Sequence, residues 1–152
     1  MTEVVIIIGK EDVWDEVAQT TSYTGAKMEG DGDAYDRIFT TEWDRSQLER
    51  FWDESCVAVC ETLKEFIQDE RNGSEGFTIF LSLSSSFDTA LEPSMRKELF
   101  SFFVTNIVSK WYAFANKSES GDYAASASDM LEGIRRKAYY RKKPTRPGRR
   151  VL

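Results

Sequence analysis

The chain has 152 residues, the length of one ordinary domain, which is enough to bury a hydrophobic core without disulfides or metals. Hydrophobic residues make up 41% of it and aromatic residues 13%, a composition that excludes intrinsic disorder for most of the chain. No apolar run approaches the roughly 18 residues of a membrane span, and the strand-sized run at Val4–Ile8 lacks the flanks of a signal peptide. We therefore expect an intracellular protein with reduced thiols and no membrane partner.

Charge is distributed unevenly along the chain. The net charge is −6, from 20 basic and 26 acidic residues, and no acidic residue follows Glu132. Residues 1–132 hold 11 of the basic and all 26 of the acidic residues, a net charge of −15, whereas the remainder carries +9. A block of one sign at the end of a chain is typical of an interaction tail.

In the N-terminal third, the sequence pattern predicts a strand, a helix and a polar loop. Residues 3–8 are mostly β-branched and predict a strand. A helix is predicted from Glu11, because acidic residues in a first turn complement the helix dipole and the apolar residues that follow have helical spacing. The loop at residues 29–36 has acids at EF-hand spacing, but Asp36 stands where the sharp turn of that motif needs glycine. A solvated surface loop is therefore predicted there.

The clearest helix is predicted over residues 44–70. Asp44 is a suitable N-cap with Gln47 as its capping-box partner, and Trp43 and Leu48 occupy the two positions of a hydrophobic staple. Apolar residues then recur three and four positions apart as far as residue 67. The Asn-Gly pair at residues 72 and 73 indicates that the helix ends before it.

Cys56 and Cys60 lie four positions apart on this predicted helix. A disulfide at that spacing would distort the backbone. A zinc site would need two further ligands, and the chain contains no histidine. Both cysteines are therefore predicted to be reduced, metal-free and packed in the core as small apolar side chains.

One more strand and two more helices follow. Residues 77–83 alternate as a strand, and helices are predicted over residues 93–116 and 118–140. The helix at 93–116 is apolar nearly all round, which favours either a central helix or a subunit contact. The residues that widen its apolar stripe are Phe100, Val104, Val108 and Tyr112.

The predicted fold class is mostly α (α+β). Residues 1–140 form a single helical-bundle domain of three long helices and a shorter one, with two short strands. Residues 141–152 form an extended basic C-terminal arm, because two prolines and a glycine exclude a helix there. Two isolated strands make a poor sheet, so they pair with each other over the bundle or across subunits.

No catalytic constellation is recognisable in the sequence. Histidine, the commonest general base, is missing. No nucleophile elbow surrounds Ser82–Ser86, and neither phosphate-binding nor dinucleotide-binding glycine motifs occur. The sequence predicts no enzyme, no cofactor, no metal and no small-molecule substrate. A hydrolase that uses paired carboxylates stays open as an alternative.

The basic C-terminal stretch supplies the candidate partner-binding residues. It supports three interpretations: a solvated end, a phosphate-binding segment flanked by the stacking rings of Tyr139 and Tyr140, or an arm that docks on an acidic surface of a neighbouring subunit. Docking is favoured, because it uses both halves of the charge split. The residues concerned are Arg135, Arg136, Arg141, Lys142, Lys143, Arg146, Arg149 and Arg150.

Four stretches carry a resemblance to a known class of proteins. YDRIFTTEWDRSQLERFWDE, SLSSSFD, LFSFFVTNIVSKWYAFANK and YYRKKPTRP resemble small virion proteins from the structural modules of tailed phages and prophages, over about residues 10–147. Among those proteins, the size and helical content are similar to head–tail connector, adaptor or ring proteins. Such adaptors are helical bundles that form rings below the portal and reach their neighbours with extended arms; the pair of strands is a departure from that pattern.

The resemblance implies a setting and a set of partners. It implies a subunit of a ring that joins portal and tail, assembled in the host cytoplasm and located in the virion. Its partners would be other copies of itself, the portal, tail or other ring proteins, and passing DNA. Two other classes stay open: a nucleic-acid-binding accessory protein that acts through the basic tail, and a small hydrolase of phage lysis or packaging.

Overall fold

The computed structural model describes residues 1–27 and 40–143, and this part of the chain is mostly helical. It contains four helices and one three-stranded antiparallel sheet, so the predicted mostly α class is confirmed. The elements in chain order are β1 (Thr2–Gly9), α1 (Lys10–Lys27), a 3-10 turn (Glu42–Asp44), α2 (Arg45–Thr62), β2 (Ile67–Asn72), β3 (Gly76–Leu83), a 3-10 turn (Thr89–Leu91), α3 (Glu92–Ala115) and α4 (Lys117–Tyr139).

The sheet has the strand order β1-β3-β2, with both pairs antiparallel. The two predicted strands, β1 and β3, pair with each other within one chain, in a register that runs from Thr2 opposite Leu83 to Gly9 opposite Gly76. Alternate residues of both strands are buried, as period-2 patterning requires. The buried face consists of Val4, Ile6, Ile8, Phe77, Ile79, Leu81 and Leu83.

The third strand, β2, corrects the prediction of a helix that continues to residue 70. Helix α2 ends at Thr62 instead, and Ile67–Asn72 pair with β3. Phe66 and Ile67 continue the apolar spacing of the helix, but the Phe66 carbonyl accepts a hydrogen bond from the Ser82 N–H at 2.7 Å. The pairing supplies hydrogen-bond partners for backbone groups on this edge of β3, which would have none if the helix continued through these residues.

The start of α2 also differs from the prediction. Trp43 is 94% exposed, so it forms no hydrophobic staple with the buried Leu48. Asp44 makes no side-chain capping bond to the helix; its carboxylate accepts a hydrogen bond from the Thr41 N–H at 2.9 Å. The Asp44 carboxylate is bonded to Thr41 and is therefore not bonded to the helix N-terminus, as a capping box requires.

Helix α3 is the central element of the bundle and contacts α1, α2, α4 and β1. Val104, Val108 and Tyr112 are buried inside the single chain, and Phe100 is half-buried. The wide apolar surface of this helix is therefore covered by its own domain at three of the four positions, and it gives little support to a subunit contact. Phe114, near the C-terminal end of this helix, is exposed.

Candidate partner-binding surface

The predicted partner-binding residues lie at and after the C-terminal end of α4. Arg135 and Arg136 belong to its last turns, and Arg141, Lys142 and Lys143 follow directly. The structure therefore gathers these five at one end of the molecule. The other three, Arg146, Arg149 and Arg150, lie outside the described residues.

The C-terminal end of α4 is held against α3 by buried side chains and a lysine. Ile134 and Ala138 are buried near its C-terminal end. Lys137 donates a hydrogen bond from Nζ to Ser94 Oγ at 2.8 Å and forms an ion pair with Glu98. This lysine belongs to the basic stretch by sequence, but its charge is used inside the domain.

Two more side chains of the last turns of α4 have described partners, one on the body and one within the helix. The ring of Tyr139 packs edge-on against Phe66, with centroids 4.8 Å apart, and its hydroxyl donates to the Glu65 carboxylate. That hydrogen bond raises the pKa of Tyr139. Arg135 lies over the Tyr139 ring and 3.4 Å from a Glu132 carboxylate oxygen. Arg135 is thus partly neutralised within its own helix.

The chain after α4 is held against the loop that follows β3. Arg141 forms an isolated antiparallel bridge with Phe87, and the Lys142 N–H donates to the Ser86 carbonyl at 2.8 Å. Phe87 itself is buried. The basic segment, predicted to extend away from the bundle from residue 141, therefore still contacts the body at Lys142. In the sequence, a single apolar residue after the serine run is the only signal that could have indicated this bridge.

Four cations of this end have no ion-pair partner among the described residues. Arg136, Arg141, Lys142 and Lys143 are exposed, and no described carboxylate lies within ion-pair distance of them. Several cations of the body are paired instead: Lys110, for example, lies 2.9 Å from Glu54, and its hydrogen bond holds the pKa of that carboxyl below the usual value. The C-terminal cations thus form an exposed positive surface, which we call the basic end.

An exposed acidic surface lies on α1. Glu11 forms an ion pair with Arg45 at 3.2 Å. Asp12, Asp15 and Glu16 are exposed, and within the described residues no cation pairs with them. The charge split seen along the sequence therefore also separates two surfaces of the folded chain.

The cysteines show no sign of an activated thiol. Cys56 is buried and Cys60 is half-buried, and the Cys60 thiol donates to the Glu70 carboxylate. Burial raises the pKa of both thiols, and that of Cys60 reaches about 12, with the Glu70 hydrogen bond as the second cause. Protonated thiols are poor nucleophiles at neutral pH. Across residues 1–27 and 40–143, no cluster of cysteines and carboxylates has the arrangement of a metal site; Asp31 and Asp33 of the calcium-like loop lie outside them.

Comparison with known proteins gives no match to a protein-family model, a curated protein or a solved structure. In the described parts of the chain, no helix combines the length and apolarity that crossing a membrane requires. The surface chemistry and the sequence resemblance are therefore what a functional proposal rests on.

Proposed function

We propose that this protein is a non-enzymatic assembly component of a tailed-phage virion, a head–tail connector subunit that binds its neighbours through the basic end. The observation that carries the proposal is the set of exposed cations at Arg136 and Arg141–Lys143, which have no described carboxylate partner on a strongly acidic body. The sequence resemblance to connector and adaptor proteins supplies the setting, and the portal and tail proteins are the proposed neighbours.

An acidic surface of another copy is the partner that this charge pattern fits best. One exposed ion pair contributes only about 0–1 kcal/mol. Several on one tethered segment act together, since the segment meets its target at high effective concentration. Arginine adds bidentate pairing with carboxylates. The unpaired acids of α1 are a suitable acceptor, and repeated contacts of this head-to-tail kind close a ring when the rotation between copies allows it.

A nucleic-acid-binding accessory protein is the second candidate, and one observation favours it. Tyr140 is 50% exposed and directly precedes Arg141, an arrangement that suits stacking on an unpaired base beside a neutralised phosphate. The net charge of −15 on residues 1–132 opposes this candidate, because it repels a polyanion.

The test compares two double variants that remove the same charge from different places. One carries Arg136→Ala and Arg141→Ala; the control carries Lys64→Ala and Lys117→Ala, two exposed cations of the body without ion-pair partners among the described residues. Sedimentation velocity measures association, for the protein alone and mixed with portal and tail proteins of the same particle. We expect the first variant to associate more weakly, the control to match the unmodified protein, and association to weaken as salt rises.

Equal association of all three proteins would overturn the proposal. Fluorescence anisotropy with a labelled single-stranded and a labelled double-stranded oligonucleotide tests the second candidate. If Arg136→Ala with Arg141→Ala abolishes oligonucleotide binding and leaves protein assembly intact, the nucleic-acid function replaces the assembly function.

A further inference from the structure

The sheet has two edge strands, and only one of them is protected against further pairing. Strand β2 carries Asp69, Glu70 and Arg71 and has an irregular register near its start. Its Asn72 side chain is tied to α2 by hydrogen bonds to Trp52 and Asp53, both 2.9 Å. Charges and irregularity of this kind block edge-to-edge association.

Strand β1 lacks all of these protective features. Its eight residues, TEVVIIIG, contain one charge, at Glu3, and neither lysine, proline nor a bulge. Val5 is 40% exposed and Ile7 is 63% exposed on its outer face. A regular, apolar edge strand is a template for pairing with another strand.

The register shows which backbone groups of β1 are open. The Ser82 N–H donates to the Phe66 carbonyl beside β2, so the even-numbered residues of β3 direct their N–H and C=O groups toward β2. The odd-numbered residues of β3 therefore direct theirs toward β1. Ile79 is opposite Ile6 in the register, and opposite residues of an antiparallel pair exchange both hydrogen bonds or neither. The even residues of β1 therefore bond to β3. The groups that face outward, without a described partner, belong to Glu3, Val5, Ile7 and Gly9.

There is room beside this edge for another strand. A groove of about 410 Å³ lies between the end of β1, at Ile7–Gly9, and the N-terminal half of α3. The α3 side contributes Lys97, the half-buried ring of Phe100 and Arg96, which forms an ion pair with Glu92 at 3.1 Å. The carboxylate of Asp12 lines the same groove. A strand in this groove would complete the open hydrogen bonds and cover exposed apolar surface.

We propose that this edge is a dimerisation surface, on which β1 of a second copy adds antiparallel to β1 of the first. A two-fold axis beside Ile6 places Val5 of one copy opposite Ile7 of the other on the outer face. It also places Glu3 of each copy opposite Gly9 of the other, so that the outward backbone groups of the two strands become hydrogen-bonded to each other. The result is a continuous six-stranded sheet.

A second copy is the occupant because the edge is complementary to itself. The apolar pair of Val5 and Ile7 and the open backbone groups of the strand each occur twice under one two-fold axis, as an isologous interface requires. The contact is independent of the proposed function, since it does not involve the basic end. It therefore persists in the Arg136→Ala, Arg141→Ala variant and at high salt, where contacts of the basic end weaken.

The experiment measures the dimerisation of the full chain by sedimentation equilibrium. Ile7→Lys removes the outward apolar contact and brings cations of the two copies together, so we expect the dimer dissociation constant to rise by about tenfold or more. The matched control is Val57→Lys on α2, where the side chain is 56% exposed and lies outside the groove. It should dimerise like the unmodified protein, and both variants should show unmodified circular dichroism.

Amide hydrogen exchange supplies a second readout that does not depend on a variant. The amides of Val4, Ile6 and Ile8 should exchange slowly at every concentration, whereas those of Val5 and Ile7 should become slow only as the protein dimerises. The proposal is overturned if Val5 and Ile7 exchange rapidly at all concentrations, or if Ile7→Lys leaves the dissociation constant unchanged. Protection that arises only after a different virion protein is added would assign the edge to that protein.

Discussion

Trp52 and Trp43 are close in the sequence and lie at opposite extremes of burial. Trp52 is fully buried, with its ring centroid 4.7 Å from that of Phe103 and 5.8 Å from that of Trp14. Its indole N–H donates to the Asn72 side chain at 2.9 Å, which connects the core to β2. Trp43 lies in the turn before the same helix and is 94% exposed. Trp52 is therefore part of the core, whereas Trp43 is not.

Trp52→Ala should lower the free energy of unfolding by roughly 3–5 kcal/mol, because it leaves a large cavity and removes the hydrogen bond from the indole to Asn72 Oδ1. Trp43→Ala is the matched control and should change it by about 0.5 kcal/mol or less. Urea denaturation followed by circular dichroism measures both. Similar losses for the two variants would contradict the burial described for Trp52.

The Cys60 thiol offers a residue-scale test of electrostatics. Burial and the hydrogen bond to Glu70 raise its pKa to about 12, so the thiolate that reacts with alkylating agents is scarce at pH 8. In a Cys56→Ala background, iodoacetamide should modify folded Cys60 on the order of a hundredfold or more slowly than the unfolded chain, whose cysteine pKa is about 8.5. The rate should climb steadily as pH rises toward that pKa of about 12.

Glu70→Gln should speed this alkylation, because it removes the negative charge and the carboxylate acceptor that hold the proton on sulfur. Asp69→Asn is the control, since Asp69 forms an ion pair with Arg71 and no bond to Cys60. Mass spectrometry of the quenched reactions gives the rates. Equal rates for the two variants would contradict the influence of Glu70.

At the scale of elements, the pairing of β1 with β3 ends where two glycines lie opposite each other, Gly9 and Gly76. A Cβ atom on Gly76 would lie 2.2 Å from the Ile8 carbonyl oxygen, a clash with backbone that no side-chain rotation relieves. Gly73, in the turn between β2 and β3, has nothing within 4 Å of such an atom. The close approach of the strands therefore requires glycine at one site only.

Gly76→Ala should cost roughly 1–3 kcal/mol of folding free energy, the usual range for a forced backbone shift. Gly73→Ala should stay within about 0.5 kcal/mol of the unmodified protein. Thermal melts and urea titrations would check both. If Gly76→Ala is as stable as Gly73→Ala, the β1–β3 register described above is wrong at its end.

For the whole molecule, the basic end is both anchored and exposed. The anchor is the bridge between Phe87 and Arg141 with the Lys142 hydrogen bond to Ser86, and the exposed part is the set of unpaired cations around it. The chain beyond Lys143 therefore starts from a fixed point on the body, which favours contact with a neighbour at a defined place.

Truncation after Lys143 should leave the melting temperature nearly unchanged, while association with the proposed partners weakens. Truncation after Tyr140 also removes the bridge, and the loss of a backbone hydrogen bond should cost about 1 kcal/mol. Differential scanning calorimetry separates the two truncations, and sedimentation measures association. An unchanged association after either truncation would show that the residues removed have no part in assembly.

Local patterning allowed much of the fold to be predicted from the sequence. The buried face of β3, the wide apolar surface of α3 and the helix that becomes α4 follow from period-2 or period-3.6 spacing, because that spacing acts within one element. The β-branched run at the N-terminus predicted β1 as a strand, but not which of its faces is buried. The charge split is likewise a property of the sequence, and the exposed cations of the basic end agree with it.

Only the tertiary structure decided where two elements compete for the same residues or surface. Phe66 and Ile67 fit a helix and a strand equally well, and the open backbone edge of β3 selected the strand. Trp43 had a suitable position for a staple, but the 3-10 turn directs it away from the core. Lys137 and Lys143 are indistinguishable as basic residues, yet Glu98 and Ser94 are near only the first. Such outcomes depend on groups distant in sequence, whose positions no local spacing encodes.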